Sequence, residues 1–510
     1  MFSMLQVSFT HDEKKRKGSV CHLRLECQQC HHIFKEGKTS QRSGTKYTGF
    51  DMNRRVVMAA AVNGIGFAQL QRFFGMMNMP GPMHLKTFQH YQKQLNLGVS
   101  QAAKSHLEEA ATIVRQAYLD LGKEPDSDGI LDITVSFDGS WQRRGRCSHN
   151  GIAAVICAVT GLILDYVTLS NYCHACEIGP DPESDEYAAW YAAHSDNCQK
   201  NINCSSAAME TKAAVIMFSR SPELHSMRYT TMLSDGDAKA FSAVTSEDPY
   251  NGVPIEKEEC VNHVTKRMGA ALRTLLEKAK AQGKPLGGRG KLTEDVVKKL
   301  TNYYGKAIKD NANNITKMEQ AVWASYFHTA STDEDPHHSR CPKGKESWCF
   351  FQRDLADGVS PRPHPHPLPR HIVKELIPIY KRLGDKELLK KCLSGKTQNS
   401  NECFHSLVWK QCPKERWACL RTVDTAVAVC VQRFNKGSSS LLDILPELDL
   451  VAGTYDKLHT EKADTARLKD SSRKSSQAAK QRRKTIDNIR RKERAARRTG
   501  EGVTYEAGAF

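Results

Sequence analysis

Apolar residues change their spacing along this chain, and each change marks a different kind of element. From Phe50 to Tyr118 they recur every three or four positions, as in Val56-Val57-Ala60-Ala61 and Phe67-Leu70-Phe73-Phe74, which predicts helices. The break Met79-Pro80-Gly81-Pro82 precedes a further amphipathic stretch from Leu85 to Leu97. Beyond the acidic, Pro/Gly-containing linker Lys123 to Gly129 the period falls to two. Ile130 to Phe137, Gly151 to Ala158 and Leu162 to Leu169 read as strands, the last two joined through Thr160-Gly161 as a hairpin. Helix (Ala207 to Arg220), strand (Arg228 to Leu233), helix (Ala238 to Val244), strand (Ile255 to Cys260) and helix (His263 to Ala281) follow. Residues 291 to 395 are mainly helical, with Leu292 to Lys309, Lys317 to His328 and His371 to Leu389 set around a Pro/His-rich loop, Ser360 to Pro369. Helices near Asn401 to Lys410 and Thr422 to Phe434 close the pattern.

The order βββαβαβα is the one expected for an α/β, ribonuclease H-like core. It divides the chain into a polar, basic segment at 1–48, a helical N-terminal region at 49–122, and a first core part at 130–290 with an insertion at 171–205. A large helical insertion at 291–395, a last core part at 396–450 and a basic tail at 465–500 complete it. The 49–122 region, with Lys86, His90, Gln92 and Lys93 on its third helix, suits either a helix-turn-helix reader of DNA or a plain helical bundle.

Composition narrows the function. The 510 residues carry 74 Lys+Arg against 57 Asp+Glu, a net +17. From Thr465 to Gly500 there are fourteen Lys/Arg and three Asp/Glu, so the tail supplies +11 and the remaining residues only +6. Leu468, Ile486 and Ile489 are its only large apolar residues, too few to pack a core. It is either disordered or a solvated basic helix, and either a solubilising tail or one that meets phosphates and carries a nuclear import signal around Lys480 to Lys484 and Arg490 to Arg498. The most apolar stretch, Gly151 to Leu169, contains an Asp and a Thr-Gly break, which argues against a membrane span. The first residues lack the ordered regions of a signal peptide, which predicts an intracellular protein. Seventeen cysteines, an odd number, then predict thiols or metal ligands rather than a disulfide framework.

Two kinds of side chain carry candidate chemistry. Asp138 is expected at the end of the first strand and Asp235 at the end of the fourth, which lie side by side in such a core, with Glu402 on a late helix as a third carboxylate. Three carboxylates suit two Mg²⁺ (or Mn²⁺) ions, which take oxygen ligands and keep open water positions. Asp138-Gly139 and Asp235-Gly236 are also ordinary strand-ending turn pairs, and Asp237 is a second candidate on the fourth strand. Among the cysteines, Cys173-x2-Cys176-x17-His194-x3-Cys198 offers four donors for a structural, tetrahedral Zn²⁺, against the alternative of four reduced residues in a loop. Cys204 or His174 could replace one ligand. Cys27-x2-Cys30, with Cys21, His22, His31 or His32, and the group His337, His338, Cys341 and Cys349 are looser candidates.

From roughly Phe50 to Val451 the chain resembles the eukaryotic Mutator-like transposase domain, a DDE transposase of the ribonuclease H-like superfamily. The resemblance rests on Ser136-Phe-Asp-Gly-Ser-Trp141, Ser148-His-Asn-Gly151, Leu169-Ser-Asn-Tyr-Cys-His174, Asp235-Gly-Asp237, Gly287-Gly-Arg-Gly290 and Tyr303-Tyr-Gly-Lys306. It continues through Ser331-Thr-Asp333, Cys341-Pro, Ser347-Trp-Cys349, Gly395-Lys-Thr-Gln-Asn399 and Asn401-Glu402, and the last residues, Glu501 to Phe510, look like the family's usual end. It implies that Asp138, Asp235 and Glu402 are the catalytic, metal-holding triad. It further implies that Cys260-Val-Asn-His263 is the family's C-x2-H element, so that His263 either orients a phosphate or a metal-bound water or simply starts a helix. The implied activity is cut-and-paste transposition on double-stranded DNA by a nuclear homo-oligomer. A domesticated or inactive relative that binds DNA without cutting is the alternative, and a nuclease acting on RNA is disfavoured.

Overall fold

A computed structural model describes residues 7–43, 49–142, 148–235, 238–284, 286–288, 290–364 and 367–500. Asp237 and Glu501 to Phe510 lie outside the described residues. The chain forms two units, one of residues 56–435 and one of residues 1–55 with 436–510.

The larger unit is a mixed α/β structure built on a five-stranded sheet. Its strands are β1 (Leu131–Trp141), β2 (Asn150–Cys157), β3 (Ile163–Ser170), β4 (Met227–Ser234) and β5 (Glu256–Glu259), in the spatial order β5-β4-β1-β2-β3. β1, β2 and β3 pair antiparallel, whereas β4 is parallel to both β1 and β5. The helices that matter to the site are α1 (Leu85–Asp120), α2 (Ser206–His225), α3 (Ala238–Glu247), α4 (Val261–Ala281), α5 (Glu294–Lys309), α6 (Ile315–Ala330), α7 (Arg370–Leu383), α8 (Asn399–Gln411) and α9 (Leu420–Lys436).

Alternation along the strands decides which helix covers which face. Ile133, Val135 and Phe137 of β1 and Ala153, Val155 and Cys157 of β2 share one core with residues of α1, α2 and α3. Ile152, Ala154 and Ile156 of β2 point the other way and pack with Phe404 and Val408 of α8 and Val423, Val427 and Val431 of α9. β2 is therefore buried on both faces, and this is why its sequence is almost continuously apolar. A further core joins α4 to α5, α6 and α7, so the helical block of residues 291–395 is seeded by the helix that leaves β5.

Several elements differ from their expected bounds for identifiable reasons. The helix expected over Leu85–Leu97 runs on to Asp120, 36 residues in all, because Ala111, Val114 and Tyr118 continue its apolar stripe onto the sheet. The helix expected over His371–Leu389 ends at Leu383 and resumes at Lys386, because the Asp385 carboxylate caps the new start through the Glu387 and Leu388 amides, each 3.1 Å away. β1 does not stop at Phe137. It continues through Trp141, with Asp138 paired to Ala154 and Gly139 to Ala153, so Asp138 sits within a strand.

The smaller unit contains a three-stranded antiparallel sheet of Val7–His11, His22–Cys27 and Ile33–Lys38, in a stretch whose sequence reads only as polar and basic. Arg54 donates to the Leu448 carbonyl at 2.6 Å, and the Asp464 carboxylate takes the Ser438 and Ser439 amides at 2.6 and 2.9 Å. Its basic tail is helical over Thr454–Ser475 and Gln477–Gly500. No helix among the described residues is long and apolar enough to cross a membrane.

Candidate functional site

Five elements deliver titratable side chains to one end of the β1–β4 pair. The parallel register matches Ser136 to Leu233, and two further residues on each strand bring Asp138 level with Asp235, just beyond the end of β4. Glu402 lies in the first turn of α8, and His263 in the first turn of α4. His263 Nδ1 is 3.3 Å from Asp235 Oδ2, and its Nε2 is 3.6 Å from Glu402 Oε1, so one imidazole spans the two carboxylates.

The start of α8 is fastened to the sheet by polar groups rather than by apolar packing alone. Gln398 Nε2 donates to the Phe137 carbonyl at 2.8 Å, and its backbone N–H approaches Cys260 Sγ at 3.4 Å. Asn401 Oδ1 accepts from Ser136 Oγ at 2.6 Å, and Trp409 Nε1 donates to Ser140 Oγ at 2.8 Å. These bonds grip β1 on either side of Asp138, with Phe404 and Val408 buried beneath, and so fix where Glu402 can point.

Two participants are not evident from the sequence pattern. Glu210, on α2, lies over Gly139, where an added Cβ would come 3.1 Å from its Cγ. Gly139 is thus a site of close approach inside a strand rather than a turn residue, a correction to the strand-ending reading of Asp138-Gly139. The signal was available, since Glu210 is the only acidic residue between Ala207 and Arg220. His405, one turn after Glu402, places Nδ1 3.5 Å from Asp138 Oδ2. Burial, reinforced by the charge of Lys414, pushes His405 down to about 4, so the ring is neutral at pH 7 and this contact is not an ion pair.

The electrostatics are those of crowded acids. Burial, then the charges of Glu210 and Asp235 and more weakly that of Glu402, push Asp138 up to about 7. Asp138 is 22% exposed, whereas Asp235 and Glu402 are 54% and 53% exposed, so the group is closed at its floor and open at its mouth. Oxygen donors that repel one another at an open rim are of the type hard divalent cations take, but among the described residues these three carboxylates do not bring their donor atoms within 4.8 Å of one another as the Cys/His groups do.

The Cys/His donors gather elsewhere in the same unit. Cys173, Cys176, His194 and Cys198 bring one donor atom each within 4.8 Å of the others, a group that could hold zinc. His194 Nε2 is 3.4 Å from both Cys173 Sγ and Cys176 Sγ, and Cys176 Sγ is 3.5 Å from Cys198 Sγ. Burial opposes ionisation of Cys173, but the Gln199 and Cys176 amides overcome it and bring the thiol down to about 6. Trp190 stacks on His194, and Asn201 sews the exit of the insertion to β3 by accepting the Ser170 amide at 2.7 Å and donating to the Thr168 carbonyl at 2.8 Å. Cys204 and His174 are not in this group. Cys27 and Cys30 join no group of three or more donors among the described residues. His337 does not accompany His338, because its Nε2 meets Asp335 Oδ2 at 3.1 Å, and His328 takes its place.

Comparison with protein families matches residues 3–349 to the Mutator-like transposase model. The chain belongs to the Mutator-like transposase family. A function in transposition, and DNA as partner, follow from that membership. The matched residues of this transposase include Asp138, Asp235, His263 and both Cys/His groups, and they end before Glu402. No curated protein matches the chain.

Proposed function

We propose that this chain is a metal-dependent DDE transposase with a ribonuclease H-like core, which cleaves transposon ends and joins the freed 3′-hydroxyl to target DNA. The observation that carries this reading is the β1–β4 register that sets Asp138 beside Asp235 while His263 reaches from Asp235 to Glu402. The strand order and the helices on both faces support the fold assignment.

In this reading Asp138, Asp235 and Glu402 hold Mg²⁺ or Mn²⁺, with Glu210 and His405 setting the charge and orientation of Asp138. The ions would supply an activated attacking oxygen and a stabilised leaving oxygen in phosphodiester exchange. The residues' own contribution is placement: the Gln398 and Asn401 bonds hold Glu402 at β1, and the starts of α4 and α8 turn their positive ends toward a scissile phosphate. Zn²⁺ in Cys173, Cys176, His194 and Cys198 is structural and staples the insertion after β3. The basic helix Gln477–Gly500 grips phosphates without sequence preference, as befits a nuclear protein acting as a homo-oligomer on two DNA ends.

The test is strand cleavage of the element's own terminal repeats with Mg²⁺. Wild type should cut, while Asp138→Asn and Glu402→Gln should lose about 10³-fold or more in rate. Equal rates in all three would sink the carboxylate assignment. DNA binding without cleavage by the wild type would favour a domesticated binder.

A further inference from the structure

The helical block contains a donor group that is closed on all sides. His328 stands in the last turn of α6, and His338, Cys341 and Cys349 come from the irregular segment that follows, in the spacing H-x9-H-x2-C-x7-C. All four are buried, and one donor atom from each lies within 4.8 Å of the rest. His328 Nδ1 and His338 Nδ1 are 3.2 Å apart, Cys349 Sγ is 3.5 Å from His338 Nδ1, and Cys341 Sγ is 3.7 Å from His328 Nδ1 and 3.9 Å from His338 Nδ1. Ligands at the corners of a tetrahedron with zinc bond lengths of about 2.0–2.3 Å are themselves about 3.3–3.8 Å apart. The group has the size of a zinc site.

Behind it stands a proton arrangement that aims a lone pair inward. Asp333 Oδ1 lies 2.7 Å from His364 Nδ1 and also accepts the His364 amide at 2.7 Å. The carboxylate therefore takes the Nδ1–H of His364 and leaves His364 Nε2 as an acceptor. That atom is 2.9 Å from His338 Nε2, which then carries the proton of its own ring and leaves Nδ1 unprotonated toward the thiols. A carboxylate–histidine support of this kind fixes the tautomer and raises the basicity of a metal-ligating imidazole. A core that needed only filling has no use for two imidazole nitrogens turned toward each other among two thiols.

We propose that His328, His338, Cys341 and Cys349 bind one Zn²⁺ in a closed structural site, with Asp333 and His364 as positioning residues behind His338. Two nitrogens and two sulfurs with no open position suit zinc better than the hard cations that carboxylates take. The ion clamps a segment with little regular structure onto the end of α6. The site depends neither on the carboxylate chemistry nor on zinc at Cys173.

Zinc analysis and zinc-edge X-ray absorption on the full-length protein test the proposal. Wild type should hold two zinc ions per chain, sharing five sulfur and three nitrogen neighbours between them. Cys173→Ser/Cys198→Ser should keep one zinc with two sulfurs and two nitrogens, whereas Cys341→Ser/Cys349→Ser should keep one with three sulfurs and one nitrogen. A single zinc with three sulfurs in the wild type, a zinc-free Cys173→Ser/Cys198→Ser protein that is still folded, or oxygen neighbours at the remaining ion would overturn it. The wild-type measurement stands even where a variant fails to fold. His364→Ala should lose zinc to a chelator about 10–100-fold more readily, and an unchanged affinity would remove the positioning role.

Discussion

The carboxylate group at the β1–β4 end and the two Cys/His groups treat their charges in opposite ways. At the first, acids stand near enough for their charges to repel, Asp235 and Glu402 are half exposed, and Asp138 is driven up to about 7 by burial and by its neighbours. At the others, donors are buried or half-buried and held by neighbours, as Trp190 stacks on His194 and as Asp333 with His364 fixes the tautomer of His338. An arrangement left repulsive and open is suited to accepting ions and a substrate phosphate. One that is satisfied and closed is suited to holding the chain together.

That contrast breaks most visibly if each group is emptied in turn. Asp138→Asn or Glu402→Gln should reduce end cleavage by about 10³-fold while leaving zinc content and the thermal midpoint no lower than in the wild type. Cys173→Ser/Cys198→Ser should do the reverse, releasing one zinc and costing on the order of 4 kcal/mol in denaturant unfolding. Loss of zinc on changing a carboxylate would mean that the groups are not separate in function.

Stability against pH sharpens the same point. Asp138 has a folded value of about 7, above the ordinary carboxylate range near 3.8, so the folded chain keeps a proton that the unfolded chain has released. Metal-free stability therefore falls as pH rises from about 4 to 7, and the full penalty, roughly 1–3 kcal/mol, stands above pH 7. Asp138→Asn should melt a few degrees higher than the wild type at pH 8 without added metal, the difference closing near pH 4 and narrowing when Mg²⁺ is added. A variant that melts lower at pH 8 would contradict the crowding of acids.

Smaller effects probe the supports. His405→Ala should lower the cleavage rate about tenfold, because the neutral ring 3.5 Å from Asp138 holds that carboxylate without neutralising it. Gly139→Ala places a methyl group 3.1 Å from Glu210 Cγ, a contact that the side chain can relieve by a small shift. A rate reduction of about two- to fivefold, with unchanged zinc content, is expected.

Much of the sheet was legible because a strand's successive side chains point to opposite faces, so that Ile133, Val135 and Phe137 fall together on one covered face of β1, while β2, covered on both, reads as an apolar run. Asp235 beyond the end of β4 was equally legible, as a short polar run closing an apolar strand. The extension of β1 past Asp138 was not. Gly139 and Ser140 resemble a turn locally and are held extended only by β2 on one side and by α2 and α8 above and below. The amino-terminal strands were hidden for a related reason: Ile33–Lys38 is exposed throughout, so no apolar face announces it.

The amino-acid sequence by itself determined the order of elements from β1 to α9, the candidate carboxylates Asp138, Asp235 and Glu402, the Cys173–Cys198 spacing and the concentration of positive charge at the tail. Those features are local, or periodic over a few residues, and backbone sterics and burial enforce them within one element. The tertiary structure alone decided that Glu210 and His405 stand beside Asp138, that Gly139 makes room rather than a turn, and that His328, not His337, faces His338. Each of these unites residues far apart in the chain or chooses between neighbours of identical type. Such choices follow from the direction in which a packed helix or strand aims its side chains, which spacing does not record.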